Sequence, residues 1–280
     1  MLSEIFSQIV MEKQKTGIRQ AVTINYLKEY LQYLVLNMLY NHKDYKTLVF
    51  KGGSCLRICY GLPRLSEDLD FDYDGKNTGE ILLADLEIYL KQEIEQKYFS
   101  EIQTKIQGKG RIYLKFPILK ELGLAGKNDS DLLFVKIETE SNLLPKAKYV
   151  LTPISNFGYN FLARNYDLPT LMSGKINAIL ERMWFKGEKN EIDIKGRDFY
   201  DLYWFLQKGI KPNMEVLRKT TGIKTIKKLR KVLEKKIMAV VTPQKLSYDL
   251  VNFLPESEFV RDFSKNYLII IINLFNKELR

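Results

Sequence analysis

The chain has 280 residues, 45% hydrophobic and 28% charged, which is enough for one large domain or two modest ones around a packed core. Lys and Arg outnumber Asp and Glu 44 to 34, and the resulting +10 predicts attraction to a polyanion (RNA, DNA, anionic lipid or nucleotide phosphates) unless the lysines are simply a solvated surface. With His42 the single histidine, multi-His metal sites are excluded and any His-based triad would rest on His42 alone; Cys55 and Cys59, the only cysteines, lack the spacing partners of a zinc site, so any metal must be held by carboxylates, which suits Mg²⁺ or Mn²⁺.

In chain order, residues 20–42 predict a helix, because Leu27, Tyr30, Leu31, Leu34, Met38 and Leu39 recur at helical spacing. Thr47 to Phe50 is a short β-rich run stopped by Gly52-Gly53. Ser54 is a favourable N-cap for the next helix, which should run to about Gly61 because Pro63 prevents its continuation. Cys55 and Cys59, four apart, would share one face of it as core-facing thiols. Leu69, Phe71 and Tyr73 alternate with Asp68, Asp70, Asp72 and Asp74, the period of a strand. Residues 79–99 return to helical spacing. Strands are predicted for Arg111–Phe116 and Leu132–Thr139, with turn residues between them, and more weakly for Tyr149–Pro153.

From about residue 166 the pattern is helical to the end, with helices over Leu168–Trp184 and Arg197–Gln207. The expected organisation is therefore an α+β part over 1–165 and a helical part over 166–280. Tyr267–Phe275 is strongly apolar but shorter than the roughly 20 residues a bilayer span needs, so it reads as a buried helix or strand. Met1 to Lys13 shows no secretory pattern. A cytoplasmic protein with no membrane partner is expected.

One constellation carries chemistry. A hydrophobic strand leads into Gly52-Gly53, where the backbone can approach a phosphate with no Cβ in the way. A helix then begins, and its free N–H groups favour anions. Asp68 and Asp70 follow, two apart on a strand and so on one face, where two carboxylates can hold Mg²⁺ against a triphosphate. Gly-Gly alone and Asp-X-Asp alone are weak signals, the second being an ordinary solvated edge strand. Their ordered combination is the specific one.

Lys51-Gly52-Gly53-Ser54, Tyr60-Gly61, Arg64, Ser66 and Asp68-Leu69-Asp70-Phe71 resemble the first motif of the AbiEii/AbiGii-type toxin nucleotidyltransferases, within the DNA polymerase β-like superfamily. Lys175, Ala178 and Arg182, then Arg197-Asp198 and Tyr200-Asp201-Leu202, match that family's second segment. The resemblance covers roughly residues 20–210. It implies an α+β fold, a nucleotidyltransferase-type mixed sheet with flanking helices followed by a helical C-terminal lobe that completes the active site. It implies an NTP substrate, metal on Asp68 and Asp70, and nucleotide binding by Gly52, Gly53, Ser54, Ser66, Lys175 and Arg182. Lys175 would pair with the phosphates, and Asp198 would act as general base or orient the acceptor. Glu138, in Val135-Lys136-Ile137-Glu138, is the candidate third acid and metal ligand; an ordinary Lys/Glu pair on a strand's polar face fits it nearly as well. An ion pair between Arg182 and Asp201 is the structural expectation for the two helices.

Residues 218–236 add an amphipathic helix with a basic face, which includes Lys224, Lys227, Lys228, Lys231 and Lys235 against one acid, Glu234. It is either solvated or an RNA phosphate-binding surface. The resemblance makes a tRNA 3′ end the leading acceptor and an antitoxin a possible partner, in an abortive-infection, phage-defence type of system. A protein-modifying nucleotidyltransferase and a non-catalytic nucleotide- or RNA-binding module are the competing readings.

Overall fold

The computed structural model describes residues 2–75, 82–98, 100–188 and 191–279. It divides into two compact units, Met1–Leu143 with Tyr149–Asn165, and Leu144–Lys148 with Tyr166–Arg280. The first opens with helices α1 (Leu2–Lys15) and α2 (Gln20–Tyr40). α2 is buried from Val22 to Tyr40 with few interruptions, polar Asn25, Lys28, Glu29 and Gln32 included. A 3₁₀ turn at Tyr45–Thr47 leads to strand β1 (Val49–Lys51), helix α3 (Gly52–Tyr60) and strand β2 (Asp68–Asp72). Then come α4 (Leu83–Tyr98), β3 (Gln103–Gln107), β4 (Arg111–Pro117), β5 (Leu132–Glu140), β6 (Tyr149–Asn156) and β7 (Tyr159–Tyr166).

The strands form one seven-stranded mixed sheet in the order β3-β4-β5-β2-β1-β7-β6. β2 lies at its centre, antiparallel to β1 and parallel to β5. Leu69, Phe71, Val135, Ile137, Ile112 and Leu114 are all buried. Phe71 stacks on Phe50 of β1 at 5.3 Å between ring centres. On the alternate positions, as the period of two requires, Asp68 and Asp70 of β2 and Lys136 and Glu138 of β5 are half-exposed, whereas Asp72 is buried.

Local chemistry sets the ends of α3. Gly61 takes a left-handed conformation (φ 72°), its N–H reaches Arg57 O, and Leu62 N–H reaches Leu56 O. At the start, the helix begins at Gly52, not at Ser54. Lys51 holds the N-cap position with extended backbone and no side-chain cap. The helix expected over 79–99 is present as α4; residues 79–81 and 99 lie outside the described residues.

The second unit is helical, apart from its short 144–148 segment and the final residue of β7. It holds α5 (Leu168–Glu181), α6 (Gly196–Gln207), α7 (Met214–Thr221), α8 (Ile226–Val240), α9 (Pro243–Leu250) and α10 (Ser257–Glu278). Four starts are capped by a side-chain oxygen: Asp167 accepts from Thr170 N–H, Asn213 from Glu215 and Val216 N–H, Thr225 from Lys228 N–H, and Thr242 from Lys245 N–H. Tyr267–Phe275, ambiguous in sequence, lies within α10, whose Val260, Phe263, Tyr267, Ile271 and Phe275 form one buried stripe. Among the described residues no helix is long and apolar enough to cross a membrane.

α6 and α9 meet closely. A Cβ on Gly196 would stand 2.7 Å from Leu246 O. Beside it the Arg197 backbone N–H donates to Asp249 Oδ2 at 2.9 Å, and its guanidinium lies 3.7 Å over the Phe253 ring. Gly174 in α5 is the counter-example, with open space where its Cβ would go. Gly196→Ala should therefore destabilise the fold by about 1–3 kcal/mol through overpacking. Gly174→Ala should be neutral or stabilise by about 0.4–1 kcal/mol. Urea denaturation of the two variants checks this; equal effects would mean that the α6–α9 approach is not tight.

Candidate active site

The two glycines are required by what lies against them. Gly52 has φ +79°, and a Cβ there would fall 2.1 Å from Asp70 Oδ2. A Cβ on Gly53 would fall 2.7 Å from Ser66 Oγ and 2.8 Å from Arg64 Nη2. Lys51 is the register partner of Asp70 across β1 and β2, so the strand pairing itself presents that carboxylate to the turn. Ser54 is fully buried and its hydroxyl donates to the Asp68 carbonyl, which ties α3 to β2. Ser66 is held from behind, its carbonyl accepting from Gln32 Nε2 at 2.9 Å. Arg64, buried to 1% exposure, donates to Leu65 O at 2.8 Å and packs under the turn.

Asp68, Asp70, Lys136 and Glu138 share the polar face of β2 and β5. The register sets Asp68 opposite Lys136 and Asp70 opposite Glu138. Lys136 Nζ lies 3.1 Å from Asp68 Oδ2 and 2.6 Å from Glu138 Oε1, while Arg111 Nε approaches Glu138 Oε1 at 3.3 Å. Burial disfavours the Lys136 ammonium, but these acids more than compensate and hold its pKa well above the ordinary lysine value. Further along, Lys51 bridges Asp72 at 2.6 Å and Glu140 at 2.7 Å.

Among the described residues no group of three or more His, Cys, Asp or Glu is arranged to hold a metal ion. Asp68, Asp70 and Glu138 are thus brought to one face without forming a preassembled cage, and an ammonium bridges two of them. The donor set nevertheless suits a hard divalent cation, being entirely carboxylate oxygen.

The second unit carries its own cluster. Lys175 of α5 pairs with Asp198 at 2.9 Å and with Asp201 at 2.8 Å, both on α6. Arg182, at the C-cap of α5, pairs with the other Asp198 oxygen at 2.5 Å. Arg182 thus pairs with Asp198, where helix spacing alone suggested Asp201. Burial would raise the Asp198 carboxyl, yet Lys175, Arg182 and Lys195 outweigh it and hold the group well below the usual carboxylate range. A carboxylate so stabilised is a weak general base at neutral pH. Lys195, at the N-cap of α6, is pulled down to about 8, first by burial and then by Arg197. Sequence reasoning missed Lys195; its only signal was its place three residues before Asp198.

The basic face is real but shorter than expected. Thr225 caps α8, so Lys224 precedes the helix, whereas Lys227, Lys228, Lys231 and Lys235 project from it into solvent opposite buried Leu229, Leu233 and Ile237. His42 packs on Tyr45 and Tyr89 at the end of α2. Cys55 is fully buried and Cys59 partly so. A hollow of about 460 Å³ beside the β6–β7 hairpin is lined by Tyr40, Ile154 and Phe161 among others, and by none of the candidate site residues.

A family profile described as "Nucleotidyl transferase AbiEii toxin, Type IV TA system" matches residues 34–277. The chain belongs to this family. It is accordingly a nucleotidyltransferase toxin of a toxin–antitoxin system, a class that implies an NTP substrate and a cognate antitoxin. The match runs through the region beyond residue 210, where no motif was legible. No curated protein matches the chain. Among solved structures, a candidate nucleotidyltransferase from H. pylori is 20% identical, with 89% of this chain and 94% of that one covered and a TM-score of 0.49. JHP933 from Helicobacter pylori is 19% identical, with 90% and 92% covered and a TM-score of 0.50. This second likeness concerns the fold, an α+β arrangement with a mixed sheet and flanking helices.

The Asp198 cluster has a pH signature. Its folded pKa is depressed, so its stabilisation is present above the unfolded carboxyl value of about 3.9 and is lost as pH falls toward the folded value. Wild-type stability should drop steeply between about pH 5 and 2. Asp198→Asn should start about 3–5 kcal/mol lower, because it leaves buried cations undercompensated, and should show a shallower acid limb. Parallel stability–pH curves for the two proteins would remove Asp198 as the source.

Proposed function

We propose that this chain moves a nucleoside monophosphate from an NTP to the 3′ end of tRNA, with Mg²⁺ or Mn²⁺ held by Asp68 and Asp70 and with Glu138 as the third acid. The observation that carries the reading is the Asp70 carboxylate set against Gly52, with Asp68 two residues before it on the same face of β2, in a chain of this family. When bound there, a divalent cation would neutralise triphosphate oxygens and lower the proton affinity of the attacking hydroxyl. The Gly53 and Ser54 amides in the first turn of α3 donate to phosphate oxygens, and the Ser66 hydroxyl flanks them. The Ser54 hydroxyl positions Asp68 through its bond to the Asp68 carbonyl, in place of the direct phosphate contact read from sequence. Lys175 and Arg182 neutralise phosphate charge, and Asp198 holds the two cations in place without taking a proton. The acceptor oxygen bonds to the α-phosphorus as the bond to the β-phosphate's bridging oxygen breaks, the hydroxyl proton passes to solvent water, pyrophosphate leaves, and the monophosphate stays on the acceptor.

The test is incubation with each labelled NTP, total RNA and total protein, with and without Mg²⁺. Label on the tRNA 3′ end that vanishes in Asp70→Asn supports the reading. Label on protein would favour hydroxyl side chains as acceptors, and label on neither would favour a non-catalytic module. Transfer by Asp70→Asn at near wild-type rate would remove the metal assignment.

The acceptor is assigned to the basic face of α8, because its lysines are exposed and aligned on one side of a helix. Phosphate contacts release counterions, with a log–log salt slope of about 0.7–0.9 per contact. Neutralising Lys227, Lys228, Lys231 and Lys235 together should raise KM for RNA, leave KM for NTP nearly unchanged, and make the salt slope shallower by up to roughly three units. An unchanged slope and RNA KM would return this face to a solvated role.

A further inference from the structure

Lys136 makes an unusual pairing for a sheet surface. A simple cross-strand pair would join one base to one acid. Here a single ammonium bridges Asp68 of β2, directly opposite it, and Glu138 two residues along its own strand. Both acids belong to the proposed metal set. The bridge leaves little room for a second cation between them, since Nζ lies within 3.1 Å of one and 2.6 Å of the other. The lysine is half-buried, with 21% of its side chain exposed, so the contact is less screened than an open surface pair.

We propose that Lys136 is a built-in counter-ion that competes with the divalent cation for Asp68 and Glu138, so that metal loads only when the ammonium leaves. This inference rests on the metal reading above. Without nucleotide, the displaced ammonium and the incoming cation would contend for the same carboxylates, and the ammonium would need another anion. The triphosphate supplies that anion, and Lys136 transfers from carboxylate to phosphate oxygen as the metal enters. Metal and NTP binding are therefore coupled, and the nucleotide-free enzyme holds metal weakly. Arg111 Nε, 3.3 Å from Glu138 Oε1, remains as a second cationic neighbour of that acid.

The experiment measures Mn²⁺ binding to the full chain by electron paramagnetic resonance, alone and with a non-hydrolysable NTP analogue. Lys136→Gln should bind Mn²⁺ roughly ten- to a hundred-fold more tightly than wild type without nucleotide, the equivalent of one lost charge-assisted contact. Lys136→Arg keeps the charge and should bind as weakly as wild type. The analogue should tighten Mn²⁺ on wild type more than on Lys136→Gln. Equal or weaker binding by a folded Lys136→Gln overturns the proposal, as does tightening by Lys136→Arg. If Lys136→Gln does not fold, Lys136→Met takes its place with the same expectation. The metal reading fails separately: then neither protein binds Mn²⁺ even with the analogue, or Asp70→Asn binds as well as wild type.

Discussion

Asp70 occupies the volume in which a side chain at position 52 would lie. That contact, 2.1 Å from a hypothetical Cβ, is possible only with glycine at a backbone of φ +79°. The geometry around it follows. The left-handed turn at Gly52 lets α3 start directly from β1, and the antiparallel pairing of β1 with β2 delivers Asp70 to it. Gly53 then accepts Arg64 and Ser66 beneath it, and the Ser54 hydroxyl fixes the main chain of Asp68. A motif that looks like a phosphate loop is thus also a packing solution, in which small residues and a buried arginine hold one carboxylate against the backbone.

The two units pair their acids with cations in different settings. On the sheet, Asp68 and Glu138 are half-exposed and share Lys136, with Arg111 beside Glu138, while Lys51 joins buried Asp72 to exposed Glu140. Solvent screens such pairs, and their members exchange partners at modest cost. Between α5 and α6 the acids are buried, and Asp198 has cations on both oxygens. Removing one partner there leaves an uncompensated charge in a poorly polarisable setting. The first arrangement suits a surface that must accept ions, and the second suits a fixed support.

Much of this was legible in sequence because the signals were periodic or chemically specific. The alternation of Asp68 to Asp72, the helical spacing of α2, the glycine pair and the two family motifs each map onto an element. Other features left no such trace. β3 contains one apolar residue, Ile106, and β7 breaks its alternation with buried Asn165, whose amide bonds Tyr60 and Thr152 and so depends on partners far along the chain. Ser54 has the composition of a cap, but its hydroxyl is claimed by a strand carbonyl that only the folded sheet brings near. The Arg182 partner was misassigned because helix spacing places two acids on the same face, and the extended turn at the α5 C-cap decides between them. Lys195 and Lys136 gain their character from neighbouring charges, which spacing alone does not report.

The segment 144–148 is covalently within the sheet's sequence but belongs to the helical unit. Leu144 N–H donates to Tyr166 Oη, Lys148 O accepts from Asp167 N–H, and Asn213 Nδ2 reaches Lys146 O. The helical unit is therefore discontinuous. A single recombination at residue 165 would deprive a transplanted helical half of a segment that helps satisfy its first helices. A cut that keeps the helical unit whole must fall at more than one junction, since its residues come from both sides of the β6–β7 hairpin.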